Sequence, residues 1–209
     1  GRLHLGHAYS ALRAHDLAQA GHGRFLLRIE DIDQTRCRPE HVVGIYEDLR
    51  WLGLNWDRDV MFQSDRHSAY AAALDRIVAQ GLAYRCWCTR AEVAANIDAP
   101  QGDAQPVYPG TCKGRDDPGD GRPYSWRLDV AEAVRRSGYL TWTDADTGEV
   151  EATPERLGDV VIARKDAPAA YHLAVVVDDA DEGVTHAIRG GDHISNTARQ
   201  MLIRSALGF

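Results

Sequence analysis

Two histidines bracket a glycine near the start of the chain, in the run His4-Leu5-Gly6-His7. Three residues apart and just ahead of a helical pattern, their imidazoles can face one side as the backbone enters the helix. Gly6 withholds a side chain that would stand between a ligand and the backbone. The helix that follows from His7 offers free N–H groups and a positive dipole end, which is an anion site. These parts suit a triphosphate whose charge shifts during transfer at its α-phosphorus, because preorganised donors favour the transition state over the ground state. Two surface histidines beside a helix cap are the other reading of the same string. A second run, Phe25-Leu26-Leu27-Arg28-Ile29-Glu30-Asp31-Ile32-Asp33, sets carboxylates at the C-terminal end of an apolar strand. Open α/β sheets bind their ligands at such strand ends. A third feature is Cys86-x-Cys88 followed by Tyr108-x-x-x-Cys112. Two thiolates one residue apart and a third after a loop supply three tetrahedral corners for zinc. Cys-x-Cys alone is equally compatible with buried free thiols, and Cys37 stands outside the cluster as an incidental thiol.

Positioning these groups takes a folded core, and 209 residues with 44% hydrophobic and 26% charged content are enough for one. Helical spacing runs from His7 to about Ala20, with Ala8, Ala11, Leu12 and Ala18 on one face and Gly21 and Gly23 as the stop. Arg24 to Ile29 reads as a short strand. Pro39 opens a second helix carrying the stripe Val42, Ile45, Tyr46, Leu49 and Leu52, which Gly53 ends. Asp65 is a candidate cap for a third helix that buries Tyr70, Ala73, Leu74 and Ile77. From Gly81 to about Pro154 helical periodicity fades, and Gly, Pro and Asp accumulate between Asp98 and Pro123. Tyr124 to Leu128 and Tyr139 to Thr143 read as strands, with a turn at Asp146-Thr147-Gly148. Val160 to Ala163 and Val184 to Arg189 read as further strands, and Thr197 to Leu207 as a closing helix. Ala170 to Val177 is ambiguous by pattern. Strands and helices on both sides of an insertion predict a parallel α/β sheet. A metal would close the Gly/Pro-rich segment, which lacks an evident core of its own.

The net charge of −7 argues against a non-specific nucleic-acid coat but leaves room for a shaped RNA site. Arg135-Arg136, Arg164-Lys165 and Arg199 with Arg204 are the local basic patches, with solvated surface charge as their other reading. Trp51, Trp56 and Trp87 read as core residues. No apolar run is long enough to span a membrane. Four cysteines without a secretory context place the chain in a reducing compartment, the cytoplasm.

The two opening motifs, about twenty residues apart, resemble the glutamyl and glutaminyl branch of the class I aminoacyl-tRNA synthetases. Tyr171-His172-Leu173-Ala174, Val177-Asp178-Asp179 and Gly183-Val184-Thr185-His186-Ala187-Ile188-Arg189-Gly190 match later blocks of that family in order. The resemblance implies that His4, Gly6 and His7 meet ATP, with His4 and His7 as the catalytic pair. It implies that Glu30 receives the α-ammonium group of glutamate, with Tyr171 and Arg189 completing the pocket. An arginine fork suits a carboxylate rather than an amide, favouring glutamate over glutamine. It also places Ala170 to Val177 in a helix. Zinc-binding members with Cys-x-Cys pair it with a later Cys-x-His, but Gly114 stands two residues after Cys112. The spacing is similar instead to the glutamyl-Q tRNA(Asp) synthetases, which implies Tyr108 as fourth ligand beside Cys86, Cys88 and Cys112.

The expected fold is a Rossmann-like parallel-sheet catalytic domain, residues 1–80 and 155–209, with an inserted zinc-bearing, acceptor-type subdomain at 81–154. The resemblance implies ATP-dependent activation of glutamate, with Mg2+, and transfer to the queuosine base in the anticodon loop of tRNA(Asp) by a monomer. Two alternatives stand beside it: the catalytic part of a conventional glutamyl-tRNA synthetase charging the tRNA(Glu) 3′ end, and a non-catalytic RNA-binding paralogue. The family's Lys-Met-Ser-Lys-Ser-like loop, and the strand that adds an arginine and a Pro-Ser segment to the pocket, lie outside these residues. The 209 residues alone are therefore expected to be inactive in adenylation.

Overall fold

In the computed structural model the described residues are 2–33, 35, 37–95, 107–191 and 194–209. The part of the Gly/Pro/Asp-rich loop at 98–106 lies outside them. The chain divides into two compact units, Gly1–His67 with Val184–Asp192, and Ser68–Gly183 with His193–Phe209.

The first unit begins with helix α1, Leu5–Ala20. It starts ahead of the His7 that the apolar spacing predicts, because His4 is extended and its ring takes the N-cap position. Ala11, Leu12, Ala14 and Ala18 on α1 pack against a small core of Phe25, Leu49 and Leu54. Leu49 comes from helix α2, Pro39–Trp51, which has proline in its first turn. Gly53, at φ 78°, turns the chain out of α2, and the Leu54 N–H then reaches back to the Leu49 carbonyl at 3.0 Å. Strand β1 is only Arg28–Ile29 and pairs in parallel with β2, Met61–Phe62. It is shorter than the expected 24–29 because Asp57 takes both backbone groups of Phe25. The Phe25 N–H donates to the Asp57 carboxylate at 2.8 Å, and the Asp57 N–H donates to the Phe25 carbonyl at 3.0 Å. Asp65 is not a helix cap: it closes a 3-10 turn, Gln63–Asp65, and Arg66 intervenes before the next helix. The expected strand at Val184 to Arg189 is absent as well. Thr185, His186, Ala187 and Ile188 are exposed there, and strand-favouring residues form a strand only where an edge pairs with them.

In the second unit helix α3, His67–Ala79, buries Tyr70, Ala73 and Ile77. Strand β3, Ala83–Cys86, runs antiparallel to β4, Ser125–Leu128. On its other side β4 runs antiparallel to β7, Val161–Ala163, giving the order β3-β4-β7. The short helix α4, Arg90–Ala95, follows β3. Helix α5, Val130–Ser137, escapes the periodicity reading because it has eight residues, yet Asp129 caps it by accepting from the Glu132 N–H at 3.1 Å. Strands β5, Thr141–Asp144, and β6, Gly148–Glu151, form a hairpin on the expected turn. Its tip is tied by Asp144, which accepts from the Asp146 and Thr147 N–H groups. Helix α6, Tyr171–Glu182, settles the ambiguous alanine- and valine-rich segment as helical and buries Leu173 to Asp178. The last helix, α7, Ile194–Ala206, packs on it. The class is α/β as expected. Among the described residues the parallel pairing falls on β1 and β2, and the other two sheets are antiparallel.

Candidate functional site

The first turn of α1 locks its histidines together. The Gly6 N–H donates to His4 Nδ1 at 3.2 Å, and the His4 N–H donates to His7 Nδ1 at 3.2 Å. This reciprocal cap satisfies two helix-start donors and leaves the two rings 3.8 Å apart. The motif thus lies across the helix start and not ahead of it. A Cβ on Gly6 would stand 3.1 Å from His4 Cε1, so glycine is what lets the ring fold back. Burial, then the neighbouring His4, lowers the His7 pKa below the ordinary imidazole value.

A cavity of about 420 Å³ in this unit is lined by His7, Arg28, Glu30, Asp31 and Cys37 among others. β1 delivers Arg28 and, at its C-terminal end, Glu30. The Arg28 guanidinium lies 3.5 Å from the Glu30 carboxylate. Asp31 holds the ends of the parallel pair together: its carboxylate accepts from the Ser64 N–H at 2.9 Å and the Ser64 hydroxyl at 2.8 Å. Pattern reasoning missed that role, since nothing in the sequence links Asp31 to Ser64. Cys37, outside the thiol cluster, reaches the same cavity, with Sγ 3.9 Å from the Glu30 carbonyl. His4, Gly6 and Arg189 belong to this unit but do not line the cavity. Tyr171 belongs to the other unit, where it is the first residue of α6 and its ring meets His172 edge-on.

In the second unit the expected metal ligands converge. The three thiol sulphurs of Cys86, Cys88 and Cys112 all lie within 4.8 Å of one another. Cys88 Sγ is 3.4 Å from Cys112 Sγ. The Tyr108 hydroxyl is 3.4 Å from Cys86 Sγ and 3.6 Å from Cys88 Sγ, and it accepts from the Cys112 N–H at 3.0 Å. A tetrahedral zinc with sulphur at about 2.3 Å and oxygen at about 2.0 Å needs edges of about 3.8 Å and about 3.5 Å. The O–S edges at 3.4 and 3.6 Å and the Cys88–Cys112 edge at 3.4 Å lie within about 0.4 Å of these values, and the thiols, all within 4.8 Å of one another, can close on such an ion. Cys86 closes β3, while Tyr108 comes from an irregular stretch and Cys112 from the turn that follows it, both before β4. Trp87 completes the buried cluster, and Tyr84, Val93 and Tyr124 pack around it. Burial pushes the Cys88 thiol up to about 11. Burial also pushes Cys112 upward, but hydrogen bonds from Tyr108, Cys88 and the backbone outweigh it and bring the thiol down to about 7. Burial, then the three thiols, raises the Tyr108 hydroxyl.

Of the basic-patch residues, Arg135, Arg136, Arg164, Lys165 and Arg199 are committed to partners within the protein. Arg135 and Arg136 both pair with Glu132, at 2.6 and 2.7 Å. Arg164 forks onto Asp166 at 2.9 and 2.8 Å. Lys165 donates to the Trp87 and Cys88 carbonyls at 3.0 and 3.2 Å, bracing the Cys-x-Cys turn. Arg199 donates to the Leu157 carbonyl at 3.1 Å. Trp87 is buried as expected, but Trp51 is 85% exposed because it falls opposite the Leu49 face of α2. Among the described residues no helix is long and apolar enough to cross a membrane.

Across residues 1–209 the chain matches the family described as tRNA synthetases class I (E and Q), catalytic domain. The chain belongs to that family, and so to the ligases that join amino acids to tRNA. It is 44% identical to a glutamyl-Q tRNA(Asp) synthetase of Rhodobacter capsulatus, covering 100% of this chain and 80% of the relative. It is 42% identical to a glutamate–tRNA ligase of Nitratidesulfovibrio vulgaris, where it spans 44% of the relative's length. The crystal structure of a glutamate tRNA ligase from Elizabethkingia meningosepticum, in complex with its amino acid, superposes with a TM-score of 0.80 at 27% identity. That likeness covers 100% of this chain and 45% of the other.

Proposed function

We propose that the protein activates glutamate with ATP and transfers the glutamyl group to the queuosine base of tRNA(Asp). The glutamate α-carboxylate attacks the α-phosphorus of ATP, and pyrophosphate leaves to give glutamyl-adenylate. In this reading His4, Gly6 and His7 hold the ATP phosphates with Mg2+ and stabilise the charge that develops on transfer. Glu30 receives the α-ammonium group by a charge-assisted contact. Tyr171 and Arg189 hold the side chain, with the Arg189 fork on its carboxylate. The Rossmann-like domain would be residues 1–80 and 155–209, and the insertion 81–154, carrying zinc on Cys86, Cys88, Tyr108 and Cys112, would meet the RNA.

The observation that carries the choice of acceptor is the Tyr108 hydroxyl, which lies 3.4 and 3.6 Å from two of the thiols. The Cys-x-Cys…Tyr-x-x-x-Cys spacing is the one that resembles the glutamyl-Q enzymes, and one such relative is 44% identical over the whole chain. A second reading, a conventional glutamate–tRNA ligase, draws on the 42% identity to an enzyme of that name and on the 0.80 TM-score.

A charging assay on the full-length protein separates the two. Glutamate should load onto queuosine-containing tRNA(Asp), not onto unmodified tRNA(Asp), and ATP–pyrophosphate exchange should proceed with glutamate and no tRNA. Loading of the tRNA(Glu) 3′ end would overturn the proposal. Metal analysis of protein purified without chelators should find about one zinc per chain, and sedimentation should find a monomer.

A further inference from the structure

Arg127, on β4, has an environment that the proposed function leaves unexplained. Its guanidinium carbon sits 3.7 Å from the centroid of the Tyr108 ring. One nitrogen donates to the Asp159 carbonyl at 2.7 Å, while the buried Nε has no hydrogen-bond partner among the described residues. Nor does Arg127 form an ion pair among them: Asp159, whose carbonyl it binds, turns its carboxylate to the Tyr84 hydroxyl at 2.6 Å and the Val130 N–H at 2.9 Å. A half-buried cation with no direct ion-pair partner is costly, and a neutral phenol ring offsets only part of that cost.

A metal-bound Tyr108 would supply the missing charge. Three thiolates and a phenolate around a divalent ion carry a net charge of about −2, and the stacked guanidinium is placed to offset the share on the oxygen ligand. The stack also fixes the ring. The other polar ties of Tyr108, to the Cys112 N–H at 3.0 Å and the Cys86 and Cys88 thiols at 3.4 and 3.6 Å, hold the hydroxyl but not the ring plane. We propose that Arg127 is the positioning residue for the metal's oxygen ligand: stacked on the ring, it aims the hydroxyl at the thiols and balances the charge that the ligand brings. The inference rests on the metal reading of the cluster. It goes beyond that reading by making an unusual ligand depend on a residue outside the motif.

The test is a double-mutant cycle on the full chain, read as zinc affinity by competition with a chromophoric chelator. Arg127→Gln should weaken zinc about 10- to 100-fold, as loss of a group supporting a metal ligand does. Arg127→Lys, which keeps the charge, should recover part of the loss. In a Tyr108→Phe background, Arg127→Gln should change affinity less than about twofold, because the partner is already gone. The same factor in both backgrounds would show an ordinary structural role and overturn the inference. So would an unchanged affinity in the Arg127→Gln protein. Circular dichroism of each variant monitors folding; should Arg127→Gln fail to fold, the Arg127→Lys cycle carries the same comparison. Wild-type protein that takes up no zinc would sink the metal site itself, and the inference with it. Zinc uptake by wild type together with an uncoupled cycle would sink the inference alone.

Discussion

Replacing Gly158 by alanine should cost far more than glycine-to-alanine replacement at an ordinary turn. Gly158 follows the 3-10 turn Pro154–Leu157 at φ 65° and ψ −174°, a region that only glycine visits freely. An L-residue held there costs about 1–3 kcal/mol. A Cβ at this position would also stand 2.5 Å from Val107 Cγ1 and 3.6 Å from the Tyr108 N and O atoms. Relieving the closest contact means rotating a β-branched side chain or moving the 107–108 backbone, and overpacking of this kind costs about 1–3 kcal/mol. The sum is about 2–6 kcal/mol. Gly148 supplies the control: it also has positive φ, 81°, but nothing lies within 4 Å of its added Cβ. Gly148→Ala should therefore lose only about 1–2 kcal/mol. Urea unfolding followed by tryptophan fluorescence gives both losses. If the cluster holds zinc as proposed, the Gly158→Ala protein should also bind it more weakly, since the segment that must move carries Tyr108. Equal losses in the two variants would refute the reasoning, because the Val107 contact would then carry no energy.

Three other perturbations test separate parts of the structure. His7 has a pKa below its unfolded value, through burial and then His4, and its Nδ1 accepts from the His4 N–H. Its contribution to stability is therefore complete above about pH 6.5 and is lost as pH falls through the lower folded value. An NMR titration of His7 with a midpoint at or above about 6.5 would contradict this. Tyr70→Phe removes the hydroxyl that donates to the fully buried Asp178 at 2.9 Å. It should cost about 1–3 kcal/mol, read as a lowered Tm; a loss below about 0.5 kcal/mol would place it with inert surface changes. Asp31→Ala removes both bonds to Ser64 and Ser64→Ala only one, so the aspartate change should be the more damaging in urea unfolding. The reverse order would mean that the carboxylate does not tie β1 to β2.

The parts of the site legible in the sequence are those whose partners lie close along the chain. His4 and His7 share one helical turn, and Cys86 and Cys88 flank one residue, so residue type and spacing nearly determine their geometry. Even there the helix began at Leu5, because an imidazole can cap and a capping box of this kind is not expected from histidine. Local pattern failed where an element depends on a distant partner. The segment Val184 to Arg189 has strand-favouring residues but no paired edge, while Val160 to Ala163 found its edge in β4, antiparallel. Periodicity is blind to both outcomes, since pairing is decided by tertiary packing. Tyr108 is the intermediate case. Its spacing from Cys112 permitted a ligand, but only family resemblance suggested one, and the fold then brought its hydroxyl among the thiols. Arg127 lies at the far end of this scale. Nothing in its sequence neighbourhood marks it, and its position acquires meaning only when β4 lays it across a ring nineteen residues upstream. The supporting residues of a site are invisible in one sequence because their identity answers to a surface assembled by several elements, whereas the ligands answer to the ion itself.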